Sequence, residues 1–451
     1  MTTADDRSLL DPLFTTERMR AIASDRARVQ GMLDFEAALA RAEAAVGLVP
    51  GAAAERIAAS CRAEFFDLVA LGRATALSGA PAIPLVRALT ERVASESPAA
   101  AGFVHFGATS QDAMDTGLVL QLRAALDALD EDLLRLLAAL ERLTRDHRQT
   151  PVAGRTWLQQ AEPTSLGLKS AGWLAAAERH RARLRAVRGR ALVVQLGGAV
   201  GNLAALGHRG PLVTELLAGE LGLGVPELPW HTHRDRLVEA GAALGLLTGT
   251  LGKIGRDVAL LMQSEVAEAW EPEGPERGGS SSMPHKHNPL GAAVAGAAAL
   301  RVPALVSTLL AAMVQEQERG LGGWQAEWEV LPELWLTTGG ALARVVEVIE
   351  GLRVDPGRME ANLAMGQGAL QAGPVAAALV GPMGREPAHA LLRRAARHAA
   401  EEGRALGEIL RADPEVSRHL SPEELERLLD PHTGAAAAAA LVDRYLAARR
   451  R

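Results

Sequence analysis

Apolar residues recur every three or four positions along the middle of the chain. The first series comprises Leu118, Leu122, Leu126, Leu129, Leu133, Leu136, Leu140 and Leu143. A second comprises Leu247, Leu251, Ile254, Val258 and Leu261, and a third runs from Ala292 toward Glu318 with a kink predicted at Pro303. This spacing is typical of amphipathic helices, and the alternation typical of strands is missing. The pattern predicts an all-α protein built around a bundle of long helices.

Breaks in this pattern predict the domain organisation. Residues 102–117 are rich in Gly, Ser, Thr and Asp, and residues 272–289 form a Pro-, Gly- and Ser-rich loop between two long helices. A turn signal at residues 354–357 precedes a region of shorter helices. We therefore expect three domains: an N-terminal helical domain at 1–110, a central helical bundle that carries the loop at 111–354, and a C-terminal helical domain at 355–451.

Composition excludes several classes of protein. The chain has 451 residues, and its 48 basic and 54 acidic residues give a net charge of −6, so no general basic field exists for nucleic acid. The single cysteine, Cys61, excludes a disulfide scaffold and a cysteine-based metal site. The amino terminus lacks the features of a signal peptide, and no uncharged apolar run reaches about 18 residues. We expect a cytoplasmic protein that binds neither nucleic acid nor membranes.

Residues 278–289, GGSSSMPHKHNP, have the composition of a loop that closes over a substrate. Two glycines allow a hinge, three serines follow, and Lys286 and Asn288 lie close behind them. Successive backbone N–H groups in such a turn can bind an anion, and a closed loop can present a hydroxyl to a carbon-bound proton. Gly- and Ser-rich runs are usually surface linkers, but the complete string is too specific for that interpretation.

This string resembles the G-S-S-x-M-P-x-K-x-N-P signature of the fumarase/aspartase superfamily, and every fixed position is present. The superfamily includes fumarase, aspartase, argininosuccinate lyase, adenylosuccinate lyase and 3-carboxy-cis,cis-muconate cycloisomerase. The resemblance implies the superfamily's three-domain all-α fold. It implies that Ser280 is the catalytic base and that Lys286 and Asn288 bind the substrate carboxylate. Ser281 and Met283 are assigned to substrate binding, and whether Ser280 or Ser281 is the base stays open.

Two further segments agree with this resemblance. Residues 105–112, HFGATSQD, are similar to the T-S-x-D region, whose hydroxyls bind substrate carboxylates in the superfamily. Residues 155–164, RTWLQQAEPT, resemble the region that reads R-T-H-x-Q-x-A-x-P-T in adenylosuccinate lyases. Taken alone, the first segment also fits an ordinary helix start. The residues assigned to substrate binding from the two segments are His105, Thr109, Ser110, Arg155, Thr156, Trp157 and Gln159.

Trp157 stands where adenylosuccinate lyases carry a His that acts as general acid. An indole cannot donate a proton to a leaving group at neutral pH, so the leaving group must be stable as an anion. A carboxylate meets that condition because the pKa of its conjugate acid is only about 4. Bacterial 3-carboxy-cis,cis-muconate cycloisomerases resemble the chain at this Trp and at residues 315–328, QEQERGLGGWQAEW. Arg319 in that string corresponds to a substrate-binding Arg.

This resemblance implies the interconversion of 3-carboxy-cis,cis-muconate and 4-carboxymuconolactone, a step of protocatechuate (beta-ketoadipate) catabolism. The tricarboxylate substrate carries its own nucleophile, so we expect no metal and no organic cofactor. The resemblance further implies a homotetramer in which each active site draws its three regions from three subunits. Two alternatives stay open, namely another superfamily lyase such as adenylosuccinate lyase, and a non-catalytic, crystallin-like helical protein.

Three other motifs are assigned to packing. His231 and His233 form an H-x-H pair without the helical partner that a metal site needs, so we interpret them as polar packing at a helix start. Residues 197–201 lack the preceding strand and the spacing of a dinucleotide-binding loop. Trp324 and Trp328, four residues apart, are predicted to pack in the core.

Overall fold

The computed structural model describes residues 9–274, 277–279, 282–283 and 285–449. The structure is 71% helical and 4% strand, which confirms the predicted all-α class. The helices of the described residues are α1 (Asp11–Phe14), α2 (Glu17–Ala23), α3 (Asp25–Ala45), α4 (Gly51–Ser60), α5 (Leu68–Ser78), α6 (Ala82–Glu96), α7 (Pro98–Ala101), α8 (Ser110–Asp146), α9 (Leu166–Ala191), α10 (Gly210–Leu221), α11 (Asp235–Leu261), α12 (Leu290–Ala312), α13 (Gly323–Glu350), α14 (Pro356–Ala364), α15 (Ala372–Met383), α16 (Arg385–Glu402), α17 (Leu406–Ala412), α18 (Pro414–Ser417), α19 (Pro422–Leu429) and α20 (Pro431–Ala448).

In the part of the chain that the structure describes, four short strands accompany the helices. Strands β1 (Pro151–Thr156) and β2 (Gln159–Ser165) form an antiparallel hairpin, and β3 (Ala269–Trp270) pairs with β4 (Arg353–Val354). Sequence patterning missed the hairpin because its connection contains no glycine. Trp157 and Leu158 instead adopt left-handed backbone angles, φ +54° and +63°, as a tight two-residue hairpin turn requires.

The chain divides into two compact units, and long helices contribute residues to both. The first unit comprises residues 9–133, 179–252 and 294–344 of the described chain. Its core packs α3 against α4 and α10, with Leu33, Phe35, Ile57 and Leu217 fully buried. Ser24 begins α3 by accepting a hydrogen bond from the Ala27 N–H, which is the ordinary role of a helix N-cap.

The second unit comprises residues 134–178, 253–293 and 345–449. Its carboxy-terminal helices pack around Val375, Leu379, Leu391 and Leu406. The hairpin packs against α14 through β1 and against α20 through β2, so its base is held by helices while its tip extends beyond them. The boundaries predicted at 110 and 354 coincide with the start of α8 and the end of β4, and the three-domain division remains a prediction.

The predicted apolar series lie on helices, with one difference in length. Seven of the eight leucines in the α8 series are buried within the single chain, and Leu118 is half-buried. Each fully buried leucine contributes about 1.5–3 kcal/mol, so this face stabilises the chain itself. The third series was predicted to continue toward Glu318, but α12 ends at Ala312. Residues 313–322 that follow are turns and irregular backbone, in which Gln317 and Gly322 have positive φ angles.

Among the described residues, two helices are long and apolar enough to cross a membrane by length and composition, in contrast to the prediction from uncharged runs. These are α11, whose apolar window is 61% buried within the chain, and α12, whose window is only 28% buried. Arg301 divides the apolar sequence of α12 into two shorter uncharged runs, so neither run reaches the length of a membrane span. Packing within the chain therefore does not account for most of the apolar surface of α12.

Candidate active site

The T-S-x-D segment leads into the amino terminus of α8. Ser110 is the first residue of the helix, and Thr109 precedes it. The side chain of Asp112 turns back and accepts a hydrogen bond from the Thr109 N–H at 3.0 Å. The helix-start interpretation is therefore correct for the backbone, and it leaves the hydroxyls of Thr109 and Ser110 available for a substrate role.

Asp112 is the centre of a buried hydrogen-bond cluster. Its carboxylate is fully buried and accepts from the backbone N–H groups of Gly197 and Gly198 at 3.0 and 2.9 Å. The His231 ring lies 2.7 Å away through Nε2 and is itself buried. Together with Thr109, these contacts place four donors around one carboxylate, so that Asp112 joins segments more than 80 residues apart in sequence.

Arg319 lies beside this cluster and is held in a defined orientation. Its guanidinium donates to Gln111 Oε1 at 2.7 Å and to the carbonyl of Ala199 at 2.8 Å. Gln111 in turn donates to the carbonyl of His231 at 2.8 Å. Arg319 is thus a cation with fixed geometry near the start of α8, rather than a freely solvated surface charge.

His105 precedes α8 in an unusual backbone conformation. Its φ angle is +58°, which is uncommon for any residue other than glycine and is found most often at functional sites. Its Nδ1 lies 2.6 Å from Oε1 of Glu36, a residue of α3 whose side chain is 1% exposed. Burial lowers the pKa of His105, but the Glu36 carboxylate outweighs burial and raises the pKa above its usual value.

A buried ion-pair network stands behind these groups. Arg234 is completely buried and donates to Asp115 on α8 and to Glu327 on α13, with the shortest contacts at 2.7 and 2.6 Å. Burial lowers the pKa of Arg234, but the two carboxylates outweigh it, so the guanidinium stays charged. Trp324 donates to Asp115 at 3.2 Å and packs edge-to-face on Trp328 at 4.9 Å between ring centres. Core packing is confirmed for Trp324, which is buried, whereas Trp328 is half-buried. Polar packing is confirmed for His231, which is buried and bonded to Asp112, whereas His233 is exposed.

The second unit contains the hairpin segment. Arg155 on β1 donates to both oxygens of Glu268 at 2.9 and 2.7 Å, and the Glu268 side chain is fully buried. Asn362 on α14 donates to the same carboxylate at 2.8 Å. This bidentate pair fixes the strand that leads to the hairpin tip.

The hairpin tip itself is exposed. Trp157 is 94% exposed and Leu158 is 80% exposed. Thr156 and Gln159, which flank them on β1 and β2, are also exposed. A large indole held in a left-handed turn outside the core has no packing role within this chain, and this favours contact with a substrate or a second subunit.

The signature loop also belongs to the second unit, and both of its ends are anchored. The Asn288 N–H donates to the Gly278 carbonyl at 2.8 Å, and Gly278 has a φ angle of +64°. A Cβ atom at Gly278 would lie 2.6 Å from the carbonyl oxygen of Asn288, so only glycine fits at this closure. Glu271 is buried and accepts from the Gly291 and Ala292 N–H groups at 2.9 and 2.8 Å, which secures the start of α12.

Within this loop, Lys286 and Met283 are exposed and Asn288 is half-buried. The Asn288 side chain donates to the Gly279 carbonyl at 3.4 Å. Ser280 and Ser281, the two candidates for the base, lie outside the described residues. Their assignment therefore remains a prediction from the motif.

Comparison with known proteins shows the family to which the chain belongs. The model of a family described as "Lyase" matches residues 14–304, and one described as "Adenylosuccinate lyase C-terminus" matches residues 368–445. The chain belongs to this lyase family, the fumarase/aspartase superfamily. The fold prediction made from the loop motif is therefore confirmed.

Individual members of the lyase family match the chain along almost its whole length. A 3-carboxy-cis,cis-muconate cycloisomerase of Pseudomonas aeruginosa is 55% identical over 97% of this chain and 96% of its own. A nitrosuccinate lyase of Streptomyces davaonensis is 45% identical over 97% of this chain and 94% of its own. The crystal structure of 3-carboxy-cis,cis-muconate lactonizing enzyme from Pseudomonas putida has a TM-score of 0.90 and 51% identity, covering 98% of this chain and 100% of that chain.

Sequence reasoning missed the acidic residues that hold the candidate groups in place. Glu36, Glu268 and Glu271 carry no motif, and Asp112 was noticed only as part of T-S-x-D. A signal for Glu36 did exist, because it interrupts the apolar run of residues 35–40. A charged residue inside an apolar helix face is almost never buried without a partner.

Proposed function

We propose that the chain interconverts 3-carboxy-cis,cis-muconate and 4-carboxymuconolactone. The observation that carries this proposal is the 55% identity to a protein of that name over nearly the entire chain. Trp157 supports it, since a hairpin tip without an acid suits a leaving group that is stable as a carboxylate. The reaction requires no metal or organic cofactor, because a carboxylate of the substrate is the nucleophile.

In the lactone-opening direction, Ser280 removes the proton from the carbon next to a carboxylate. The electron pair of that C–H bond forms the double bond, and the ring C–O bond breaks to release the lactone oxygen as a carboxylate. Lys286, Asn288 and loop N–H groups stabilise the enediolate-like charge that develops. One well-placed donor of this kind is worth about 3–4 kcal/mol of barrier.

The substrate bears three carboxylates, so it needs a local excess of donors in an acidic protein. His105, Arg155 and Arg319 supply cationic groups in addition to Lys286. Arg155 and Arg319 have protein partners, as described above, and each guanidinium carries five N–H groups, so N–H groups remain that can donate to substrate. The remaining residues proposed to contact substrate are Thr109, Ser110, Thr156, Trp157, Gln159, Ser281 and Met283.

The exposed apolar surface of α12 supports the proposed homotetramer. Leu300 and Leu310 on this helix are 83% and 54% exposed, and Val314 just beyond it is 85% exposed. The helix carries one charged residue, Arg301. Exposed large apolar side chains along a helix favour burial against other copies of the chain, with the three site regions then supplied by three subunits. The α8 leucines do not provide this surface because they are already buried. We propose a cytoplasmic location for the assembly.

The test is an ultraviolet assay of the purified protein with 3-carboxy-cis,cis-muconate, following loss of the conjugated diene. We expect conversion to the lactone by the wild type, a loss of at least about 10³-fold in kcat for Ser280→Ala, and near-normal turnover for the matched control Ser282→Ala. Near-normal turnover of Ser280→Ala with inactive Ser281→Ala would transfer the role of base to Ser281.

Elimination of nitrite from nitrosuccinate is the second candidate, favoured by the 45% identical relative of that name. Nitrite is also stable as an anion, so Trp157 suits both reactions. Nitrosuccinate and adenylosuccinate are therefore offered in parallel with the first substrate. Faster turnover of either one would replace the cycloisomerase proposal, and a folded protein inactive on all three would favour the non-catalytic alternative.

A further inference from the structure

The surroundings of His105 are unusual in their burial and charge. The ring is bonded through Nδ1 to Glu36, and its side chain is 16% exposed. Within the described residues, no hydrogen bond of Nε2 occurs. The ring therefore has one nitrogen fixed inside the protein and one available to a ligand.

A second carboxyl group lies behind this pair. Glu43 lies seven residues after Glu36 on the same face of α3, and it is fully buried. Neither of its side-chain oxygens has a hydrogen-bond partner among the described residues. Burial and the nearby Glu36 charge raise the pKa of Glu43 to about 9, so it is uncharged at neutral pH. Of the two carboxyl groups on α3, Glu36 and Glu43, only Glu36 is then the counter-ion of His105.

The other titratable groups facing the pair are few. Asp112 on α8 acts on His105 in the same direction as Glu36, by favouring the cation. The buried Cys61 thiol, at the end of α4, has a pKa raised by burial and by Glu36, and it is therefore uncharged as well. No cation acts on the His105 ring among the described groups, so burial alone opposes the effect of the two carboxylates on its pKa.

We propose that Glu36 is a positioning residue that orients the His105 ring and holds it as an imidazolium, so that Nε2–H donates to a carboxylate of the substrate. The left-handed backbone at His105 fits this role, since the ring contacts Glu36 of α3 and lies shortly before Thr109 and Ser110 at the start of α8. This inference rests on the proposed function for the identity of the anion, but the state of the ring can be tested without it. Glu36 acts through His105 and touches no reacting atom.

The experiment compares wild type, Glu36→Gln and Glu43→Gln in the full-length protein. Glu36→Gln preserves the acceptor for Nδ1–H and removes the charge, so we expect the His105 titration midpoint to fall by about 1–3 pH units. The midpoint is read by NMR of protein labelled with ¹⁵N at histidine and assigned with His105→Gln. Glu43→Gln resembles the uncharged Glu43 carboxyl in shape and should leave the midpoint and the activity unchanged.

The kinetic readout is KM against kcat for 3-carboxy-cis,cis-muconate as a function of pH. Because the cation is lost as pH rises through the pKa of His105, we expect KM of Glu36→Gln to begin rising at lower pH than in the wild type. The rise should reach about tenfold near pH 7, with kcat changed less than KM. Glu36→Asp retains the charge, so the His105 midpoint should fall less in this variant than in Glu36→Gln.

An unchanged His105 midpoint in Glu36→Gln would overturn the inference, whatever the activity. If Glu36→Gln fails to fold, the wild-type midpoint decides, and a His105 midpoint at or below the ordinary histidine value of about 6.5 would overturn the inference. A wild type that is inactive on the tricarboxylate removes the proposed function, while the NMR titration still decides whether Glu36 controls the ring.

Discussion

Replacing Asp112 with Asn changes one atom in the centre of the buried cluster at the start of α8. In the native chain, Oδ1 accepts from Gly197 and His231, and Oδ2 accepts from Gly198 and Thr109. The Asn side chain has one oxygen and one NH₂ group where Asp112 has two accepting oxygens. The less costly orientation turns the new NH₂ toward His231, whose ring can change tautomer and accept, and this leaves the Gly197 N–H facing another donor.

The magnitude follows from these contacts. The buried, unpaired Gly197 N–H costs about 1–3 kcal/mol. The two backbone bonds that remain fall from charge-assisted to neutral strength, which costs about 1 kcal/mol each. We therefore expect Asp112→Asn to lower the free energy of unfolding by about 3–5 kcal/mol, a large fraction of the stability of an ordinary domain.

The assay is urea unfolding followed by circular dichroism at one fixed protein concentration, since association would alter the midpoint. The matched control is Asp130→Asn on the same helix. Asp130 pairs with Arg181 at 2.7 Å, but its side chain is about one-third exposed, so its loss should cost less than about 1 kcal/mol. A loss below about 1 kcal/mol for Asp112→Asn would show that the four donors are not held by this carboxylate.

Two further predictions concern the hairpin and α12. Arg155→Lys retains the charge but loses the bidentate contact to buried Glu268, so we expect a loss of about 1–3 kcal/mol in thermal or urea unfolding; an unchanged midpoint would contradict the importance of the guanidinium geometry. Leu300→Glu should convert the assembly to smaller species in light-scattering measurements while the monomer stays folded. Leu77→Glu, at a leucine that is 92% exposed on α5, should leave the mass unchanged, and a normal mass for Leu300→Glu would exclude α12 from the interface.

Local sequence was sufficient for the all-α class and for three of the long helices. Apolar spacing identified α8, α11 and α12, because a 3.6-residue repeat of apolar residues marks the buried face of a helix along the chain. The hairpin at residues 151–165 was not predicted, since its turn is made by Trp157 and Leu158 rather than by the glycine or asparagine that usually marks such a turn. The end of α12 was overestimated, because the helix ends at Ala312 and the mostly polar residues 313–319 that follow are not helical.

For the candidate site too, the sequence predicted some residues and only the structure showed the others. The superfamily motifs named His105, Arg155, Lys286 and Arg319 from the sequence, since these groups belong to short contiguous strings. Their partners could not be found in that way. Glu36 lies 69 residues from His105, and Glu268 lies 113 residues from Arg155, and neither carries a motif.

By itself, the sequence determined the fold class, the family and the chemical character of the substrate loop, because helix periodicity and short motifs are properties of neighbouring residues. Only the tertiary structure decided which carboxylate pairs with which histidine or arginine side chain. Asp112 collects donors from two distant segments, and Glu36 acquires its effect on His105 only when α3 buries both groups in one place. The physical reason is that desolvation and charge interaction depend on distance in space, which spacing along the chain does not record.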